Sequence, residues 1–116
     1  LRVIPNLLVM RPCDGVETAE CWETALNNRT GPSLLSLTRQ ALPTARHNDG
    51  MQENRSASGA YILRETKLAK PRVVIMASGS EVEIALSAKE KLEAAEIGTR
   101  VVSVPCMELF MKQKDF

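Results

Sequence analysis

Arg39 follows an apolar run directly, in GPSLLSLTRQALP (31–43), where Leu34, Leu35 and Leu37 predict a buried strand over PSLLSLTR. In a parallel α/β sheet ligands gather beyond the carboxyl ends of the strands, and a guanidinium there can hold a phosphate through two parallel hydrogen bonds. On the residues alone two readings of Arg39 stay open: a phosphate ligand, and a surface or domain-bridging arginine. Arg11, at the same end of the preceding run PNLLVMRP (5–12), carries the same two readings. ASGSE (77–81) sets a glycine and two serines at an expected strand-to-helix turn, where N–H groups and the helix dipole favour an anion. It has neither the lysine of a phosphate-binding loop nor the GxGxxG spacing, so a plain helix cap competes with an anion site. Cys13, Cys21 and Cys106 share no CxxC spacing and His47 is the sole histidine, which fits free thiols in a reducing compartment better than a metal site. No nucleophile–base pair, paired carboxylate cleft or histidine cluster stands out, so no catalytic, cofactor-binding or metal-ligating residue is assigned.

The elements that must position these residues form a repeated order. The uniform apolar run at 5–12, bounded by prolines, predicts a buried parallel strand. DGVETAECWETALNN (14–28) predicts a helix with Asp14 as N-cap and Glu17 as its capping-box partner, and with Val16, Ala19, Trp22, Ala25 and Leu26 facing the core. The strand before Arg39 completes a strand–helix–strand unit. Polar sequence from Ala41 to Arg55 reads as a linker, and GAYILRE (59–65) as a short strand. A second unit follows: RVVIMASGS (72–80), a helix over 81–97 and TRVVSVPC (99–106). Its helix is expected to start on a Ser80–Glu83 capping box, bury Val82, Ala85, Leu86, Ala88, Leu92 and Ala95, and stop at Gly98, while the KEKLEAAE face is solvated. MELFMKQKDF opens another helix. The expected class is α/β, as two partial three-layer α/β/α units with mainly parallel strands, each too small to cover both faces of its sheet alone.

Composition narrows the partners. The 116 residues carry 15 basic and 14 acidic side chains, a net charge of +1, and 44% hydrophobic residues. Without clustered Lys or Arg neither a nucleic-acid nor a membrane partner is expected. No apolar run reaches the ~18 residues that span a bilayer, and no signal-peptide pattern opens the chain, so a cytoplasmic location is expected.

Taken in order, LRVIPNLLVMRPCDGVET, GPSLLSLTRQALP, GAYILRE, VVIMASGSEVEIALSAKEKL and TRVVSVPCMELF resemble the transketolase family across nearly the whole chain. The resemblance implies the last part of a pyrimidine-binding domain at 1–42, an interdomain linker with a short strand at 43–69, and the first part of the C-terminal domain at 70–116. It implies, for the parent enzyme, thiamine-diphosphate-dependent transfer of a two-carbon ketol group between sugar phosphates in the pentose phosphate pathway. The cofactor there comes with a divalent cation, Mg2+ or Ca2+, in a homodimer. In the family the arginine of the (S/T)RQ-LP block binds the substrate phosphate, and Arg39 holds that position. Family members usually carry alanine at Cys13, asparagine at Val16 and a second glycine at Ala60, none of them catalytic.

The family's diphosphate and metal-binding domain, its activating glutamate and its proton-handling histidines lie before Leu1, and His47 in the linker is none of them. The segment alone is therefore expected to bind no cofactor and to be inactive. Two alternatives remain at this point. One is a segment of another thiamine enzyme, a deoxyxylulose phosphate synthase or a 2-oxo acid dehydrogenase β subunit, although a sugar-phosphate arginine is not expected where the substrate is pyruvate. The other is a non-catalytic truncated α/β module.

Overall fold

The computed structural model describes residues 1–47 and 53–113. In chain order these form β1 (Leu8–Met10), α1 (Gly15–Asn27), β2 (Ser33–Leu35), a 3-10 turn (Arg55–Ser58), β3 (Tyr61–Arg64), β4 (Val73–Ala77), α2 (Glu81–Ala94), β5 (Thr99–Ser103) and α3 (Met107–Met111). The fold is α/β with parallel pairing dominant. β1 pairs with β2 and β4 with β5 in parallel, and β3 adds an antiparallel edge in the order β3-β5-β4.

The first unit forms with shorter strands than its apolar runs predict. β1 is wholly buried, and its ladder to β2 runs from Leu8↔Ser33 to Met10↔Leu35, with one further bond from Ser36 N–H to the Met10 carbonyl at 2.8 Å. It stops there because Leu8 and the alternate residues after it donate toward β2, and the next in that row, Pro12, has no N–H to offer, while the Arg11 N–H points to the other side and is donated to Pro105 O at 2.8 Å. Without a partner beyond Ser36, the residues up to Arg39 leave the sheet. Asp14 caps α1 as expected, its Oδ1 accepting the Glu17 N–H at 2.9 Å. The Glu17 carboxylate turns back to the Cys13 N–H at 2.7 Å, one residue earlier than an ordinary capping box. The inward face of α1 is only partly the predicted one: Ala25 packs against the buried cluster and Val16 is half-buried. Glu17 and Cys21 are buried, whereas Trp22 and Leu26 are 52% and 72% exposed.

In the second unit α2 lies over the face of the sheet that carries Tyr61, Leu63 and Ala77, packing Val82 and Leu86 against them. The opposite face leaves Ile62, Val74 and Met76 exposed. Two expectations for α2 fail at its ends. Ser80 makes no side-chain cap bond, because it is already helical (φ −62, ψ −21) behind Gly79, whose φ of +60 makes the turn. The helix ends on Glu96 (φ 59) rather than Gly98: Ile97 N–H reaches Leu92 O at 2.9 Å and Glu96 N–H reaches Glu93 O at 3.0 Å, the paired bonds of a left-handed C-terminal cap. The charged face is also not all solvated, since Lys89 is buried and bonded to Glu93 at 2.6 Å.

Both buried apolar clusters draw on both halves of the chain. Leu8, Met10 and Cys21 pack with Cys106, and Cys13 and Ala45 pack with Leu63 and Val82. The described residues at the start of the polar connection are pinned down as well. Ala45 and Arg46 are buried, their N–H groups donated to Asp14 Oδ2 at 3.0 and 2.7 Å. The Arg46 guanidinium pairs with Glu20 at 2.5 Å and lies 5.2 Å from the Tyr61 ring centre. Gly59 (φ 82) lets the 3-10 turn meet α3, where a Cβ would fall 2.4 Å from the Cys106 carbonyl oxygen.

Candidate functional site

Arg39 lies four residues beyond the end of β2, in an exposed bend. The Thr38 hydroxyl accepts the Gln40 N–H at 3.1 Å, a tight local turn that holds Arg39 outward. Its guanidinium makes no hydrogen bond or ion pair with any described residue. Two concavities flank this loop. One, of about 190 Å³, is lined by Arg11, Pro12, Ser36, Leu37, Thr38, Gly79 and Ser80. The other, of about 250 Å³, runs from Pro12 and Asp14 to Thr38, Gln40 and Leu42. Both open beyond the carboxyl end of β1, the side on which α/β sheets hold ligands.

Arg11 and the ASGSE turn, considered apart in the sequence, meet in the structure. Arg11 reaches Ser78 Oγ at 3.2 Å and Glu81 Oε2 at 3.0 Å, and its carbonyl accepts the Gly79 N–H at 2.9 Å. The bridging reading therefore fits Arg11. A diphosphate would need donors at the start of α2, but the Gly79 N–H is engaged and Glu81 places a carboxylate there, so the turn does not fit that group. Among the described residues no group of three or more His, Cys, Asp or Glu could hold a metal ion. His47 is exposed and borders a separate cavity of about 530 Å³ between residues 43–47 and α2, together with Arg64, Lys67, Lys89 and Glu93.

The polar centre of the molecule is Glu17, which the sequence marks only as a cap partner. Fully buried, it accepts the Tyr61 hydroxyl at 2.6 Å and the Ser103 hydroxyl at 2.5 Å on Oε1, besides the Cys13 N–H on Oε2. Burial, then the Glu17 charge, push the Tyr61 phenol and the Cys13 thiol far up. Burial pushes Cys21 up to about 12 and raises Cys106, so the three free thiols stay protonated and inert. The signal for Glu17 was its spacing from Cys21, four residues further along one face of α1.

Known proteins place this arrangement. A model of the transketolase pyrimidine-binding domain matches residues 1–45, and a model of the transketolase-like C-terminal domain matches residues 59–116. A transketolase of Sinorhizobium medicae is 54% identical over 114 residues, covering 97% of this chain and 16% of the relative. The crystal structure of a Pichia stipitis transketolase variant in complex with fructose 6-phosphate superposes with a TM-score of 0.85 at 37% identity, covering 98% of this chain and 16% of that one. A split-gene transketolase, described as an inactive β4 tetramer, superposes at 0.76 and 31% identity over 92% of this chain and 33% of its own. The class is thus that of α/β enzymes with a pyrimidine-binding domain joined to a transketolase-like C-terminal domain. Within it, the chain belongs to the transketolase family, of whose curated relatives it spans about a sixth.

Proposed function

We propose that this chain works as part of a full-length transketolase, in the transfer of a two-carbon ketol group between sugar phosphates, and that Arg39 binds the substrate phosphate. The observation carrying this reading is an unpaired, exposed guanidinium on a tight turn beside clefts at a strand's carboxyl end. A sugar phosphate in the Pichia stipitis relative supports the substrate class. Arg39 would anchor the phosphate through two parallel N–H···O bonds and hold the far end of the sugar still, a remote contact that lowers the barrier by placement.

Thiamine diphosphate and its divalent cation, Mg2+ or Ca2+, supply the carbanion chemistry in this reading and bind outside the segment. The pyrimidine-domain match supports the cofactor. Cytoplasmic location and a homodimer, with the segment dividing at 1–42, 43–69 and 70–116, complete the proposal. The segment alone is inactive, a view supported by the inactive β4 tetramer of the split-gene relative.

In the full-length enzyme Arg39→Ala is expected to raise KM for phosphorylated sugars about 10–100-fold, the worth of about 1.5–3 kcal/mol for bonds to a charged group. KM for unphosphorylated acceptors should stay unchanged. Equal losses for both classes of acceptor would refute the phosphate role.

A further inference from the structure

We infer that Arg11 is a positioning residue for the loop that presents Arg39, braced from the other half of the chain by Glu81. This rests on the phosphate role of Arg39 proposed above.

Three observations converge on Arg11. Its backbone is tied at both polar atoms to the second half, N–H to Pro105 O at 2.8 Å and carbonyl to the Gly79 N–H at 2.9 Å. Its side chain crosses the same seam, with Ser78 Oγ at 3.2 Å and Glu81 Oε2 at 3.0 Å. On the other side, its neighbour Met10 accepts the Ser36 N–H at 2.8 Å, the last bond before the chain turns toward Arg39.

Across the 190 Å³ cleft, Ser36, Leu37 and Thr38 form one wall, while Arg11, Gly79 and Ser80 form the rest. The Arg11 side chain thus forms part of the wall facing the Arg39 turn, and its bonds to Ser78 and Glu81 fix the end of β1 from which Met10 holds Ser36. The contact is local. The side chains of Arg11 and Glu81 are 37% and 53% exposed, so losing their pair leaves both buried clusters intact.

The test uses the full-length enzyme with a phosphorylated and an unphosphorylated acceptor. Arg11→Ala is expected to raise KM for the phosphorylated acceptor about fivefold at near-constant kcat, and to leave the unphosphorylated acceptor unchanged. Glu81→Gln should shift it in the same direction and less. The charge-swapped pair Arg11→Glu with Glu81→Arg should recover part of the loss.

Because Arg11→Ala could also loosen the fold, melting temperatures are measured alongside, and Glu81→Gln, which keeps shape and removes only charge, carries the test if the alanine variant melts early. Equal KM shifts for both acceptors, or none in either variant, would overturn the inference. If Arg39→Ala discriminates between acceptors and the Arg11 and Glu81 variants do not, the brace alone is wrong. If Arg39→Ala itself fails to discriminate, the phosphate reading fails and takes the brace with it.

Discussion

Glu17→Gln probes the bond between the two halves with the smallest change of shape. The carboxylate accepts two hydroxyls on one oxygen and the Cys13 N–H on the other. The amide keeps a carbonyl oxygen for Tyr61 and Ser103 but turns an NH2 group toward the Cys13 N–H, donor against donor. One buried donor left unpaired, at about 1–3 kcal/mol, and two charge-assisted bonds made neutral, at about 0.5–1 kcal/mol each, give a loss of about 3 kcal/mol. Against a total stability of about 5–15 kcal/mol that is a large fraction. With about 2.1 cal/mol/K of unfolding entropy per residue, a chain of this length should melt about 12 °C lower.

Circular dichroism of the intact chain in heat and in urea measures both quantities. Tyr61→Phe should lower the melting point by about half as much, and less again in the Glu17→Gln background, with a coupling of about 1 kcal/mol. A Glu17→Gln variant that melts within about 2 °C of the parent would show that a charged acceptor is not what joins Tyr61 and Ser103.

Two further predictions concern pH. The Lys89 ion pair, aided by the Lys67 N–H and the Thr66 hydroxyl, holds Glu93 down at about 2 against its usual 4.5. A depressed carboxyl contributes stability that is present above 4.5 and lost as pH falls toward 2, so Glu93→Gln should flatten acid unfolding in that window. At the other end, burial raises the Tyr61 phenol above its usual 10.0 and Cys21 from 9.0 to about 12, so their contribution is full below those usual values and lost as pH rises through the folded ones. Phenolate absorbance should accordingly appear only with unfolding, and an ordinary tyrosine titration in the folded chain would contradict the burial of that hydroxyl.

What the sequence showed and what it hid divide along a physical line. Local rules worked where one residue decides locally: Asp14 as a cap, the proline-bounded run of β1, and the two parallel strand–helix–strand units. They failed where a distant partner decides. The strand before Arg39 ends early because Pro12, next in line to donate from the neighbouring strand, has no N–H, which the run 33–39 by itself does not reveal. Trp22 and Leu26 are apolar yet outward, because α1 turns Glu17 toward hydroxyls lying 44 and 86 residues further on. Lys89 and Arg46 read as solvated by type and are buried because Glu93 and Glu20 await them. Arg39 was legible as a candidate from its place after a strand, and the turn that displays it follows from Thr38.

The Glu17 network also bears on how such chains can be recombined. The two family models divide this chain between residues 45 and 59, the natural seam for trading one domain between related enzymes. Yet the carboxylate lies on one side of that seam, and two of its three donors, Tyr61 and Ser103, on the other. A chimera crossed over within the connection, with a partner lacking those hydroxyls, would inherit a buried charge with a single donor. Crossovers placed before Cys13 or after Cys106 keep carboxylate and donors together, so the unit of exchange is the pair of half-domains rather than either one.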